Sequence, residues 1–529
     1  MKGKKLAYLV LLLVLAFAIY WKTLLPGLGY TGDTAKFQYI GKILGVPHAP
    51  GYPLYVLLNH FFTFLPIKTL AFRANLMSAV FSVLTLLVLF YLIQLLVKKE
   101  EISLLATLYF AFTYAFWSQS LVAEVYSLNA FFTVLVLFLL VKWSFSKKKI
   151  FFYSFLFVYA LSLGNHLTII TIFPAILVFV LLVDPKILFK LKSIVLTLSA
   201  LLIGAGQYSY LYIRTLQNAP YLEHRVYTFK DLLNVITARQ FREKMFAFSF
   251  QEVILERVPM FFKMLWQELT IVGVFIGIVG LFFLFKRNKK IFLLLFLSAC
   301  GEIVYFINYN IEDIQGYLIP ISLIFIVFAA WGMLELGNII KIKTYRLLFY
   351  LLLFALVIYL ASSNFQKFSW KKDIAFDKSL SALFEYIPRQ AIIVTDEYLD
   401  LQFVNYKALI EYPEKEIIRI LVNSKKDIPV QLLTRLVVIL RDNKDLQKKF
   451  QLEEEFNQLK NFRPELTLLR IQYLFRTRRE LQEKFLSHVY FFSENLNASL
   501  QAQKIKTAPV LVFSKKDHRK YIFFRVFLY

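Results

Sequence analysis

A single cysteine stands in 529 residues. Cys300 lies inside an apolar run, so neither an intrachain disulfide framework nor a thiolate metal site is available. No spacing of His, Cys and Glu meets a zinc pattern, and no repeat of fixed period runs through the chain. Acid is scarce beside base: 35 Asp and Glu against 61 Lys and Arg leave a formal charge of +26. Such an excess raises nucleic acid as a partner. The basic residues, however, gather largely in short clusters between apolar runs, which fits the positive-inside rule better than a nucleic-acid face. No cleavable leader is evident either. The run Leu6 to Trp21 has basic residues before it but no small-residue cleavage site after it, and continues into Lys22 and Pro26, as a retained signal anchor does.

Apolar surface is what the chain has in excess. It is 58% hydrophobic and 18% aromatic, with a mean hydropathy of +0.59. A soluble protein cannot hide that much, so the class is a mostly α, polytopic membrane protein. A membrane helix needs about 20 mostly apolar residues. Windows at 6–22, 74–97, 102–121, 127–143, 150–165, 167–183, 193–213, 266–285, 291–309, 317–337 and 347–363 predict about eleven spans. Alternate turns carry Lys98 and Lys99, Lys147 to Lys149, Lys186, Lys190 and Lys192, Lys286 to Lys290, and Lys341 to Arg346. The rule makes that side cytoplasmic, with the N-terminus inside and the C-terminal part outside.

The opposite turns differ in kind. Two are short, Ala123 to Tyr126 and Asn308 to Gly316, and two are long, residues 23–73 and 215–265. The second long loop is basic and aromatic, which suggests anionic headgroups of membrane lipids or a phosphate. Residues 1–365 thus read as a membrane module and 370–529 as a small extracytoplasmic α/β domain. Strands are expected at Ala391 to Val394, Ile417 to Val422, Pro509 to Phe513 and Tyr521 to Phe527, and helices at Lys444 to Leu459 and Glu480 to Leu500. Asn497-Ala498-Ser499 is formally a glycosylation sequon.

Candidate chemistry gathers on the predicted outer face. The stretch Thr31 to Pro66 bears Asp33 where the first span should leave the bilayer, and Pro47, Pro50, Gly51 and Pro53 prevent it from forming one helix. Two readings of Asp33 stand. Asp33 or Thr31 caps a short helix with Phe37, Ile40, Ile43 and Leu44 at helical spacing, or Asp33 is a general base that removes a proton from an acceptor hydroxyl. Glu124 is a solvated turn carboxylate or a site acid. His166 donates a hydrogen bond at a helix end or binds substrate. Asp313 is a further acid on this face, and several converging acids could hold a divalent cation. Arg214, Arg239 and Arg242 either snorkel to lipid headgroups or bind phosphate oxygens bidentately.

Gly32-Asp33-Thr34, with Leu44-Gly45-Val46-Pro47-His48-Ala49-Pro50-Gly51-Tyr52-Pro53-Leu54-Tyr55, resembles the opening loop of a membrane family related to the protein O-mannosyltransferases. Ala123 to Asn129, Leu161 to His166, Leu211 to Arg214 with Asn218 and Pro220, and Arg239-Gln240-Phe241 agree with it, and Pro388 to Asp396 is similar to the start of an outer domain in related enzymes. Lys36 stands where the family suggests an acid. The turn after Pro220 reads Tyr221-Leu222-Glu223-His224-Arg225 rather than a Trp-Gly-Asp type. The resemblance implies a GT-C type fold and transfer of a sugar, mannose first, from a polyprenyl-phosphate donor to a protein, lipid or glycan hydroxyl. It implies Asp33 as base, and His48, Tyr52, Glu124, His166, Gln240 and Asp313 beside the substrates. A flippase or transporter would instead place charges at mid-membrane within inverted repeats. A silent membrane scaffold is the third reading.

Overall fold

The structure is a computed structural model that describes residues 2–29, 32–368, 370–422, 489–492, 506–514 and 520–527. The chain divides into two compact units, residues 1–26 with 40–369, and residues 27–39 with 370–529.

The first unit is a helical membrane bundle. Among the described residues, eight helices are long and apolar enough to cross a membrane: Lys4–Thr23, Leu70–Val97, Tyr126–Ser146, Leu191–Leu216, Phe250–Arg287, Lys289–Asn308, Ile314–Ile339 and Lys343–Phe365. The count of eleven from hydropathy is not reached by this measure. The windows at 150–165 and 167–183 are shorter apolar helices, Lys149–Ser162 and Leu167–Val183. The window at 102–121 is broken into Glu100–Ala111 and Tyr114–Ser120. No proline marks that break; a tertiary contact supports it. Both carboxylate oxygens of buried Glu268 lie 2.9 Å from the Ala115 N–H, which opens the second piece. The helix that carries Glu268 is itself interrupted at Thr270, where φ is 57°. Tyr109 donates its hydroxyl to the freed Leu269 carbonyl and lies 3.0 Å from the Thr270 hydroxyl. Backbone groups released inside a bilayer must find such partners, because no water is there to take them.

The turns at one end of the bundle are the ones with chemistry. Asn75 ties two of them together from inside the helix Leu70–Val97. Its amide nitrogen donates to the Leu25 carbonyl at 2.9 Å and its amide oxygen accepts from the Ala123 N–H at 2.8 Å, with the side chain fully buried. Arg214 acts similarly, donating from Nε to the Leu44 carbonyl at 2.6 Å and from Nη2 to the Ile43 carbonyl at 3.3 Å. Val46 then pairs with the turn after Pro220: its N–H donates to Tyr221 at 2.9 Å and its carbonyl accepts from Glu223 at 3.0 Å.

The second unit carries a five-stranded mixed sheet among its described residues: β1 (Gln390–Thr395), β2 (Glu416–Leu421), β3 (Val489–Phe492), β4 (Lys506–Ser514) and β5 (Lys520–Phe527), in the order β2-β1-β3-β5-β4. β1 runs parallel to β2 and β3, while β5 is antiparallel to β3 and β4. Four strands fall where the apolar runs place them. Val489–Phe492 is a correction, since the expected helix Glu480 to Leu500 contains this buried strand. Its short apolar run is wanted between two strands of the sheet, and pairing there overrides local helical pattern. The expected helix Lys444 to Leu459, the rest of 480–500 and the sequon lie outside the described residues, as does Thr31.

Replacing Asn75 with Ala leaves the Leu25 carbonyl and the Ala123 N–H buried without this partner. The expected loss is about 2–4 kcal/mol, read as a lower thermal midpoint in detergent; an unchanged midpoint would show that the turns hold without this tie.

Candidate functional site

The proline-glycine loop is built around two left-handed residues. Gly51 has φ 90° and a Cβ there would meet Leu211 at 2.7 Å, so glycine is required both for conformation and for space. Tyr52 follows at φ 43° and starts the helix Pro53–Phe62. This twist turns the Tyr52 ring inward, where its hydroxyl and His48 Nε2 share a hydrogen bond of 2.9 Å.

An aromatic basket closes around that pair within the first unit. His48 packs edge-on against Tyr52 and against Phe241, with centroids 5.1 and 5.7 Å apart. His166 lies 5.9 Å from both Tyr52 and Tyr126 and 5.6 Å from Tyr317. Tyr126 and Tyr317 are edge-on at 5.6 Å. Gly316 makes room for this, because a Cβ would stand 2.5 Å from the Tyr126 ring. Glu124 and Asp313 both act electrostatically on Tyr126. Glu124 is buried at 4% exposure, which corrects the reading of it as a solvated turn group. Burial, with the Glu124 charge adding, pushes the Tyr55 hydroxyl well above its ordinary range.

His166 is also buried. It caps the turn Leu167–Ile172, accepting from the Thr168 N–H at 3.4 Å with Nδ1 2.7 Å from the Thr168 hydroxyl. It is thus an acceptor at this helix end, where donation was expected. Burial, and then the charge of His48, lower its pKa from 6.5 to about 3. The basket therefore presents a neutral imidazole at physiological pH.

Three of the residues picked from sequence, His48, Tyr52 and His166, meet in this basket, and Glu124 and Asp313 lie within electrostatic reach of its Tyr126. Arg239, Gln240 and Arg242 flank Phe241 on a short turn, Arg239–Lys244, and all three are exposed. Arg239 donates to Asn234 at 3.3 Å. Arg214 is half-buried and its donors serve the carbonyls of residues 43 and 44. Tyr126, Tyr317 and Phe241 were not singled out; the turns that bear them were, through Glu124, Asp313 and Gln240. Among the described residues no group of three or more His, Cys, Asp or Glu is arranged to hold a metal ion.

Asp33 belongs to the second unit. It precedes the helix Thr34–Ile43, and its carbonyl accepts from the Phe37 N–H at 3.0 Å. Its Oδ1 is 2.8 Å from Nζ of Lys36, whose side chain is fully buried while that of Asp33 is 31% exposed. Lys36 also donates to the Tyr398 hydroxyl at 2.8 Å. The residue that departs from the family pattern is therefore the partner of the candidate base.

Residues 33–187 match the family described as the protein O-mannosyl-transferase TMEM260 N-terminal domain. The chain is 33% identical over 239 residues to the mouse (Mus musculus) protein O-mannosyl-transferase TMEM260, covering 42% of this chain and 32% of that protein. It is 29% identical over 142 residues to the tmem260 protein of Dictyostelium discoideum, covering 26% and 17%. The match thus spans about a third, or less, of these curated relatives. The fold is similar to that of ArnT from Cupriavidus metallidurans, solved with undecaprenyl phosphate and in the apo state, at a TM-score of 0.60 over 98% of both chains and 9% identity.

One pH dependence follows from the basket. Between pH 6.5 and about 3 the unfolded His166 holds a proton that the folded one does not, so stability falls as pH falls through that window. The thermal midpoint should drop on acidification in the native protein and drop less in His166→Gln; equal slopes would remove His166 as a source. Residues 33–187 are thus similar to the N-terminal domain of the protein O-mannosyl-transferase TMEM260, and the fold of the chain is similar to that of ArnT, a membrane protein of GT-C type.

Proposed function

We propose that this protein is a membrane glycosyltransferase that moves a sugar, mannose first, from a polyprenyl-phosphate donor to an acceptor hydroxyl. The observation that carries the reading is an overlap at the level of residues. The segment matched to the O-mannosyl-transferase family domain contains Asp33, His48, Tyr52, Glu124 and His166, the acid and the basket described above. The ArnT structure that holds undecaprenyl phosphate supports the donor class, since this fold can take such a lipid. The basic turns between alternate spans support an extracytoplasmic site, with the N-terminus in the cytoplasm.

In this reading Asp33 is the catalytic residue. Its carboxylate takes the proton of the acceptor hydroxyl while that oxygen bonds to the anomeric carbon. The bond from that carbon to the donor phosphate breaks, and its electron pair leaves with the lipid phosphate. A single displacement inverts the carbon. Arg239 and Arg242, exposed on their short turn, offer charge-assisted donors to that phosphate, whose charge grows as the bond breaks. Arg214 shapes the loop at residues 43 and 44. The aromatic rings of the basket suit the apolar faces of a sugar, and Glu124 its hydroxyls.

The test is transfer from labelled undecaprenyl-phosphate mannose to a serine- and threonine-rich peptide by the purified protein. Asp33→Asn, close in shape, should lower kcat at least a hundredfold, in the range that a general base supplies. Arg239→Ala with Arg242→Ala should act mainly on KM for the donor. Undiminished transfer by Asp33→Asn would overturn the base, and an inert wild type with every lipid-linked sugar would overturn the activity.

A further inference from the structure

Resting on the reading of Asp33 as base, we infer that Tyr398 is a positioning residue for that carboxylate, acting through Lys36, so that the C-terminal segment contributes directly to the working of the first loop. Lys36 has its ammonium inside protein, and a buried ammonium must be surrounded by acceptors. Asp33 Oδ1 stands at 2.8 Å on one side and the Tyr398 hydroxyl at 2.8 Å on another. The Tyr398 ring also lies under the charge, 5.1 Å from Nζ, with the Phe37 ring at 5.7 Å. The ammonium is thereby fixed in direction, and the Asp33 carboxylate, part of which faces solvent, is fixed with it. A base must be held to within a fraction of an ångström of its proton to act well.

Tyr398 is not needed to hold the segment in place. Residues 27–39 have two further anchors on the helices Lys371–Tyr386 and Tyr398–Tyr406. The Leu28 N–H donates to Asp377 Oδ2 at 3.3 Å. The Tyr39 hydroxyl donates to buried Gln402 at 2.6 Å, and Asn405 donates to Tyr39 at 3.3 Å. Asp377 is held in turn by Lys407, fully buried at 2.5 Å from it and 2.6 Å from Glu411. Removing one hydroxyl from Tyr398 therefore leaves the weld intact, and its ring remains under Lys36. What is lost is the acceptor that sets the direction of the ammonium.

The test uses the full chain in lipid nanodiscs. Tyr398→Phe should lower kcat for mannosyl transfer from undecaprenyl-phosphate mannose to the serine- and threonine-rich peptide by about tenfold, with donor KM and thermal midpoint unchanged. In a Lys36→Met background, Tyr398→Phe should have no further effect, since the route through Lys36 is gone. A wild-type kcat in Tyr398→Phe, or the same fall in both backgrounds, overturns the inference. Undiminished transfer by Asp33→Asn overturns the base reading and this inference together. A second readout needs no donor: carbodiimide labelling of Asp33, followed by peptide mass spectrometry, should be several-fold faster in Tyr398→Phe. Equal labelling rates overturn the inference even where the wild type transfers nothing from this donor.

Discussion

A lysine ammonium that is fully buried must be surrounded by partners, and Lys36 is where this constraint acts most strongly. Its requirements explain why residues 27–39 group with a segment more than three hundred positions away rather than with the helices that flank them. Asp33 and Tyr398 satisfy the charge, while Tyr39 with Gln402 and Leu28 with Asp377 extend the attachment on either side. The isolated pair would contribute little, because taking two charges out of water offsets most of their attraction. Its value lies in specificity: any other pairing of this loop leaves an ammonium in a dry site.

The membrane unit meets the same demand by setting single polar side chains against backbone groups. Asn75 joins two backbone groups of separate turns, Arg214 joins two carbonyls of one turn, and Tyr109 takes up the carbonyl freed at the Thr270 break. Each places one polar side chain against main chain that has left its helix. The basket of His48, Tyr52, Tyr126, His166 and Tyr317 sits among turns held in this manner.

Much of this was legible in the sequence, and the failures have physical causes. Long apolar runs fix their own fate in lipid, so eight of the expected spans were readable, as were β1 and β2, whose runs of Ile and Val mark buried strands. The split at residues 112–113 was not, because its cause is Glu268 on a distant helix. Glu124 reads as a turn acid because its burial comes from tertiary packing, which its neighbours in sequence do not reveal. Arg214 reads as a phosphate ligand because guanidinium chemistry is the same toward a phosphate and toward a carbonyl; only the fold says which one is near. Lys36 reads as an anomaly until Tyr398 is beside it. The aromatic partners of the basket lie within a few residues of Glu124, Gln240 and Asp313, so proximity in sequence was the one available signal.

The division of the chain bears on its biosynthesis. Residues 27–39 leave the ribosome early, yet residues 40–369 intervene before the first of their partners exists. At 5–20 residues per second the delay is on the order of half a minute. Throughout it the nascent loop carries a lysine with no finished site to occupy, and the membrane helices can insert in order while the loop waits. Completion of the Lys36 site therefore waits on the synthesis of residues 377–405, long after the loop itself has been made.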